Sequence, residues 1–302
     1  MKRKTLIESS LALAATPSLL GASEDDIDII DTHTHFYDPR REQGIPWPNK
    51  KDPLHRPILP SEFMGVASPY GVKGTIVVEA SRWLEDNQWL LDLAKKNPSI
   101  YGVVGHLDPG AEGFRENIQR FAKNKLFKGI RLGKSLYQLD DPKVMKDFEL
   151  LEKLDLSVDI LGGVKALQAS KLLVEKLPNL RQIIEHLPFY NFRKKEDALI
   201  YQKSMVQLGK KKNVYAKISD VLTRVNGEVI TDPEYYVNIL DHQWENWGED
   251  KVVYGSNWPV SDRLAEYKYV FQAVDHFLST RSKEARRKFY NTNTNTVYNL
   301  NT

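Results

Sequence analysis

The sequence predicts an α/β protein folded as one closed (β/α)8, or TIM, barrel, and three observations carry that expectation. Eight short runs rich in β-branched residues recur along the chain. Between them lie amphipathic segments whose apolar residues fall three and four apart, the spacing of one helix face. The length of 302 residues, with 41% hydrophobic, suits a single domain of barrel size.

The runs are IDIIDTHTHF (27–36), GTIVVEA (74–80), YGVVGHLDP (101–109), KGIRLG (128–133), SVDILGG (157–163), LRQIIEHL (180–187), NVYAKISD (213–220) and KVVYGSNWP (251–259). Helical stretches such as LEDNQWLLDLAKKN and EGFRENIQRFAKN separate them. DPKVMKDFELLEKL opens on Asp141 and Pro142, a side-chain cap followed by proline in the first turn. Alternating strands and helices imply a parallel sheet with right-handed crossovers, and eight units in one domain favour closure. The first connection, 37–73, is the longest and is rich in proline, as expected of an active-site loop.

Composition excludes several functions. A formal charge of +3, from 43 basic and 40 acidic residues, implies no strong field for nucleic acid or an anionic membrane. The expected partner is a small molecule, and assembly with further copies is left open. With no cysteine, disulfides, thiol catalysis and thiolate-bound zinc are ruled out. Residues 1–23 combine a basic start, an apolar stretch and small residues at Gly21, Ala22 and Ser23, the order of an export signal ahead of a barrel spanning 24–302. Arg3-Lys4 resembles a twin-arginine pair with lysine in second place. The expected location is the periplasm; a short N-terminal helix on a cytoplasmic protein is the alternative. Glu8, Ser9 and Ser10 interrupt the apolar run, which argues against a permanent span.

In such a barrel the reactive groups stand at the C-terminal strand ends. Strand alternation puts Asp31, His33 and His35 on one face, where two imidazoles can meet one ion and Asp31 can orient a ring. His-x-His alone is a weak signal. Its setting strengthens it: His186 ends the sixth run, His106 lies in the third, Arg131 ends the fourth, Lys217 lies in the seventh, and Glu79 and Arg82 follow the second. A core filled with these groups would be prohibitively polar unless it were a site. His106 fits a structural role as well as a functional one. Glu185 has the opposite parity to His186 and is expected in the helix layer. Glu79 shares parity with Val77, which puts it in the barrel interior if Val77 is core.

At these residues the chain resembles the amidohydrolase-related barrels, in particular their sugar-lactonase and dicarboxylate-lactonase branch. IIDTHTHFYDPRREQGIPWP, GVKGTIVVEAS, IIEHLP, NVYAKIS and VVYGSNWPV carry the likeness, which runs from 27 to 300. The resemblance implies hydrolysis of a small lactone or related ester or amide. It implies that His33, His35 and His186 surround one divalent, zinc-like ion or, without metal, a substrate carbonyl. Arg131, with Arg82 or Lys217, would hold carboxylate or polyol groups of the substrate; His106 and Trp258 are further substrate-binding candidates of the sequence. The wider family also implies non-oxidative decarboxylation as an alternative. Strands four and five offer no lysine or histidine to bridge a second ion, so a two-metal centre is not expected.

One position departs from the pattern. Where the family carries an aspartate to take the proton from water, this chain has Asn257, and an amide is no base. Three readings follow: Asn257 ligates through its carbonyl while another carboxylate such as Glu79, Asp220 or Asp262 is the base, a histidine is the base, or the barrel only binds its ligand. Glu79 stands where the lactonase branch is expected to carry glutamine, which suggests a compensating charge.

Overall fold

The computed structural model describes residues 27–187, 192 and 194–300. Residues 1–23, expected from the sequence to be an export signal, lie outside them. Each of the eight runs overlaps a strand, β2, β3 and β4 beginning one or two residues before theirs: β1 (Ile29–Thr34), β2 (Val72–Val78), β3 (Ile100–Gly105), β4 (Phe127–Leu132), β5 (Ser157–Ile160), β6 (Gln182–Leu187), β7 (Val214–Ile218) and β8 (Val252–Tyr254). All pair in parallel and in chain order. The circle closes past the last strand, where His35 N donates to Trp258 O at 2.9 Å and Asn257 N donates to His33 O at 2.9 Å. Gly255 permits this approach, because a Cβ there would stand 2.8 Å from the His33 Cβ.

Among the described residues, eight longer helices wrap the barrel: α1 (Pro60–Ala67), α2 (Leu84–Lys96), α3 (Phe114–Ala122), α4 (Pro142–Lys153), α5 (Val164–Lys176), α6 (Lys195–Gly209), α7 (Val237–Trp247) and α8 (Tyr267–Leu278). The Asp141 side chain caps α4 by accepting from Lys143 N, as its sequence predicts. Val77, Val103, Ile130 and Val158 face the helices in one large apolar cluster. Ile30, Ile76, Val78, Val104, Ile183 and Val253 fill the barrel itself. This reverses the expectation for Val77: the inward residues of β2 are its even-numbered neighbours. Glu79 reaches the mouth because it lies beyond the strand end.

Val297 and Tyr298 close the bottom of the barrel against this inner cluster. Arg181 Nε donates to Val297 O and Lys128 Nζ to Asn299 O, both at 2.8 Å, which anchors the segment beneath β4 and β6. At the opposite end, Pro46 and Trp47 of the long first connection border the mouth. The connection is held there by backbone hydrogen bonds between Tyr37 and Ile58.

Candidate active site

A cavity of about 620 Å³ opens at the C-terminal ends of the strands. His35, His186, Asn257, Arg131, His106 and Glu79 line it, and Trp47, Arg82, Trp83 and Leu161 stand around them. Three strands end at this floor in left-handed backbone that is uncommon for residues other than glycine: His186 (φ 60), Asp220 (φ 53) and Asn257 (φ 62). Such conformations cluster where a side chain has to be aimed.

The three histidines converge. The ring of His33 lies 5.0 Å from that of His35 and 4.5 Å from that of His186, centroid to centroid. His35 Nδ1 is 2.9 Å from Val78 O. A carbonyl only accepts, so Nδ1 carries the hydrogen, and in the neutral ring Nε2 is bare. Burial, then Arg131, lowers the His35 pKa to about 3. Burial lowers His186 to about 4; Asp220 pulls upward, and Arg131 and Lys217 pull down. Burial and the Lys217 charge drive His33 well below its ordinary range. At neutral pH all three rings are therefore uncharged, the state that ligates a metal or accepts a proton.

Beneath the rings runs a buried polar column. Glu185 Oε1 is 3.3 Å from His33 Nδ1 and 3.6 Å from Lys217 Nζ, and Arg131 lies 3.8 Å from its other oxygen. Lys217 donates to Asp159 Oδ2 at 2.6 Å, and Tyr298 donates to the same oxygen at 2.9 Å. Glu185 thus faces inward, in step with Ile183 and contrary to the helix-layer expectation. The register of β6 shifts between Ile184 and Leu187, and the left-handed turn at His186 brings that ring to the same side as Glu185.

On the β2 side, Arg131 Nε donates to Glu79 Oε1 at 2.9 Å and its terminal nitrogen donates to Glu79 O at 3.1 Å. Burial alone would raise the Glu79 carboxyl, but His106 and Arg131 outweigh it and hold the pKa near 2. A carboxylate this acidic is a poor base, so Glu79 serves as the counter-charge to Arg131. His106 is shifted upward: burial opposes the imidazolium, and Glu79 and Asp108 overcome it. Its backbone N–H and C=O are both bonded to the Asn87 side chain, which fixes it at the end of β3.

Other expectations are corrected. Asp31 orients no ring; its carboxylate accepts from His33 N, Ser256 N and the Tyr267 hydroxyl, because the register shift in β1 breaks the alternation. Lys217 is wholly buried in the column and does not line the cavity, so it is not available to a substrate. Trp258 is 1% exposed and packs against Phe36 and Phe63 as core. Arg82 lies at the exposed rim. Sequence reasoning missed Asp159 and Ser219, whose hydroxyl lies 3.0 Å from His186 Nδ1. A carboxylate inside β5 and a serine ending β7 were the available signals.

The donor set suits a divalent cation. Among the described residues His33 Nε2 is buried without a hydrogen bond, and His35 Nε2 faces Asn257 Oδ1 at 3.3 Å, two lone pairs confronting each other. His33, Glu185 and His186 also offer ligand atoms within 4.8 Å of one another, although Lys217 already balances Glu185.

A family model described as Amidohydrolase matches residues 30–300, and the chain belongs to that family. It is 28% identical over 245 residues to an L-fucono-1,5-lactonase of Burkholderia ambifaria, covering 78% of this chain and 81% of the relative. An amidohydrolase from Burkholderia multivorans, solved with bound zinc, superposes with a TM-score of 0.79 at 21% identity, covering 90% of this chain and 99% of the other. A 2,6-dihydroxybenzoate decarboxylase from Rhizobium shares the fold at a TM-score of 0.61 and 13% identity, covering 91% and 99%.

Proposed function

We propose that this protein opens the ring ester of a small sugar-acid lactone by attack of water on the carbonyl. The observation that carries the reading is the convergence of three neutral imidazoles and the Asn257 carbonyl on one floor, beneath a cavity whose wall presents Arg131. The likeness to the fuconolactonase supports a lactone as substrate class. The decarboxylase likeness is of fold alone and favours no second reading.

His186 is the proton acceptor: its ring is neutral and open to the cavity, and the Asp220 charge favours the imidazolium that forms. Arg131, held in place by Glu79, donates to the oxygen on which negative charge develops. His106, shifted toward its charged form, is the second cationic contact for substrate oxygens. A zinc-like ion, when bound, would be held by His33, His35 and Asn257, leaving His186 free for the proton, and would polarise the carbonyl.

The decisive test is turnover of a panel of aldonolactones, followed by acid release, with and without chelator. Failure to open any lactone would sink the reading in favour of a barrel that only binds. Loss of turnover on chelation, restored by zinc chloride, is the expected result if the ion takes part. The basic, apolar and small-residue order of 1–23 supports export, and mature protein beginning near residue 24 in the periplasmic fraction is the corresponding expectation.

A further inference from the structure

The amide of Asn257 has an unusual orientation, and Asp220 sets it. Asn257 Nδ2 donates to Asp220 Oδ1 at 3.0 Å. An ionised carboxylate only accepts, so the amide nitrogen faces β7 and the amide oxygen must face the other way. That other way is His35 Nε2, 3.3 Å distant, whose hydrogen has been claimed on the opposite ring nitrogen by Val78 O. Free to rotate, the amide would flip and donate a good hydrogen bond to that bare nitrogen. A flip in this protein would set the amide oxygen against the Asp220 carboxylate, so Asp220 forbids it.

We propose that Asp220 is the positioning residue that aims the Asn257 carbonyl oxygen at the reacting centre beside His35. On this assignment the negative charge that an aspartate after β8 would carry is held one strand away, after β7. The inference rests on the reading above for which groups form the centre. Both residues adopt left-handed backbone, Asp220 at φ 53 and Asn257 at φ 62, a conformation that Asp and Asn tolerate better than other side chains. The two lone pairs so opposed accept from whatever lies between them, whether water, a substrate hydroxyl or a cation. Asn257 is thereby an oriented acceptor in its own right, with the displaced charge behind it.

The test uses Asp220→Asn, Asn257→Asp and the double variant that exchanges the two side chains. Asp220 is half-buried, so the substitution is accommodated. The amide that Asp220→Asn introduces can donate as well as accept, so the Asn257 amide is released to flip onto His35. The kcat should then fall about 10- to 100-fold, as for other residues that orient a ligand from behind. KM should change less than kcat. The exchange variant again has an amide facing a carboxylate, with an acceptor at 257, and should exceed both single variants in kcat. The side-chain amide NMR signals of Asn257, assigned by their loss in Asn257→Asp, read the geometry without any turnover and should move in Asp220→Asn. Unmoved amide signals overturn the proposal whatever the substrate is. An Asp220→Asn enzyme with wild-type kcat overturns it too, as does an exchange variant no better than the weaker single. A wild type that opens no lactone while the amide signals shift as expected would remove the lactone reading and leave the positioning role standing.

Discussion

Lys217 and Asp159 form a 2.6 Å ion pair in which neither side chain is exposed. Glu185 adds a second carboxylate 3.6 Å from the same ammonium. Replacing the lysine with an apolar residue of similar length leaves Asp159 buried without its cation and Glu185 with only Arg131, 3.8 Å away. Lys217→Met is expected to lower stability by about 3–5 kcal/mol, the scale for breaking one side of a buried pair. Urea unfolding measures it, and a variant within about 1 kcal/mol of wild type would show that the column tolerates the loss.

His186→Asn removes the proposed proton acceptor while keeping a polar group near the Ser219 hydroxyl. A fall in kcat of about 100- to 10,000-fold is expected, with less change in KM. Steady-state kinetics on the best aldonolactone checks it. A loss confined to KM would mean that the ring binds substrate and moves no proton.

Arg131 and Glu79 make separable contributions. Arg131→Met deletes the donor to the developing oxyanion and should cost about 100-fold in kcat. Glu79→Gln keeps an acceptor for the guanidinium and should cost less than about 10-fold, within the range of altered positioning. If Glu79→Gln were instead the more damaging change, the carboxylate would be acting as the base after all.

Asp31 gives a prediction in pH. Burial raises its folded pKa from 3.8 to about 6, against hydrogen bonds from Ser256, His33 and Tyr267 that lower it. An acid that binds its proton more tightly when folded favours the folded state below 3.8, and that contribution is lost as pH rises through about 6. The stability difference between wild type and Asp31→Asn, which has no such proton, should therefore fall by about 3 kcal/mol from acid to neutral pH. Urea titrations across that interval test the sign, and a flat difference would contradict it.

Much of this architecture was legible in the sequence because barrel strands have to be short, β-branched and separated by helices. The polar residues ending those strands marked the mouth, and His33, His35, His186, Asn257, Arg131 and Glu79 do meet there. What failed was side-chain direction. Alternation predicts facing only while the register is regular, and β1 and β6 each slip where they approach the site. Those slips turn His33 and His186 inward, so parity counted from these histidines gave the wrong side for Asp31 and Glu185. Lys217 and Trp258 were misassigned for another reason: sequence shows that a strand end is polar or aromatic, but not how deep the side chain lies.

The link from Tyr298 through Asp159 and Lys217 to His33 joins the two ends of the barrel. Its lowest member belongs to the segment that shuts the end opposite the mouth. Work aimed at changing what the protein accepts can thus vary Trp83 and Leu161, which stand exposed at the opening, whereas Trp47 also packs against His35 and Tyr37. Variation at 159, 217 or 298 would instead shift the electrical setting of every reaction tried there. A laboratory search for second-site repair of a damaged histidine should look for its answers at the foot of the barrel as well as beside the substrate.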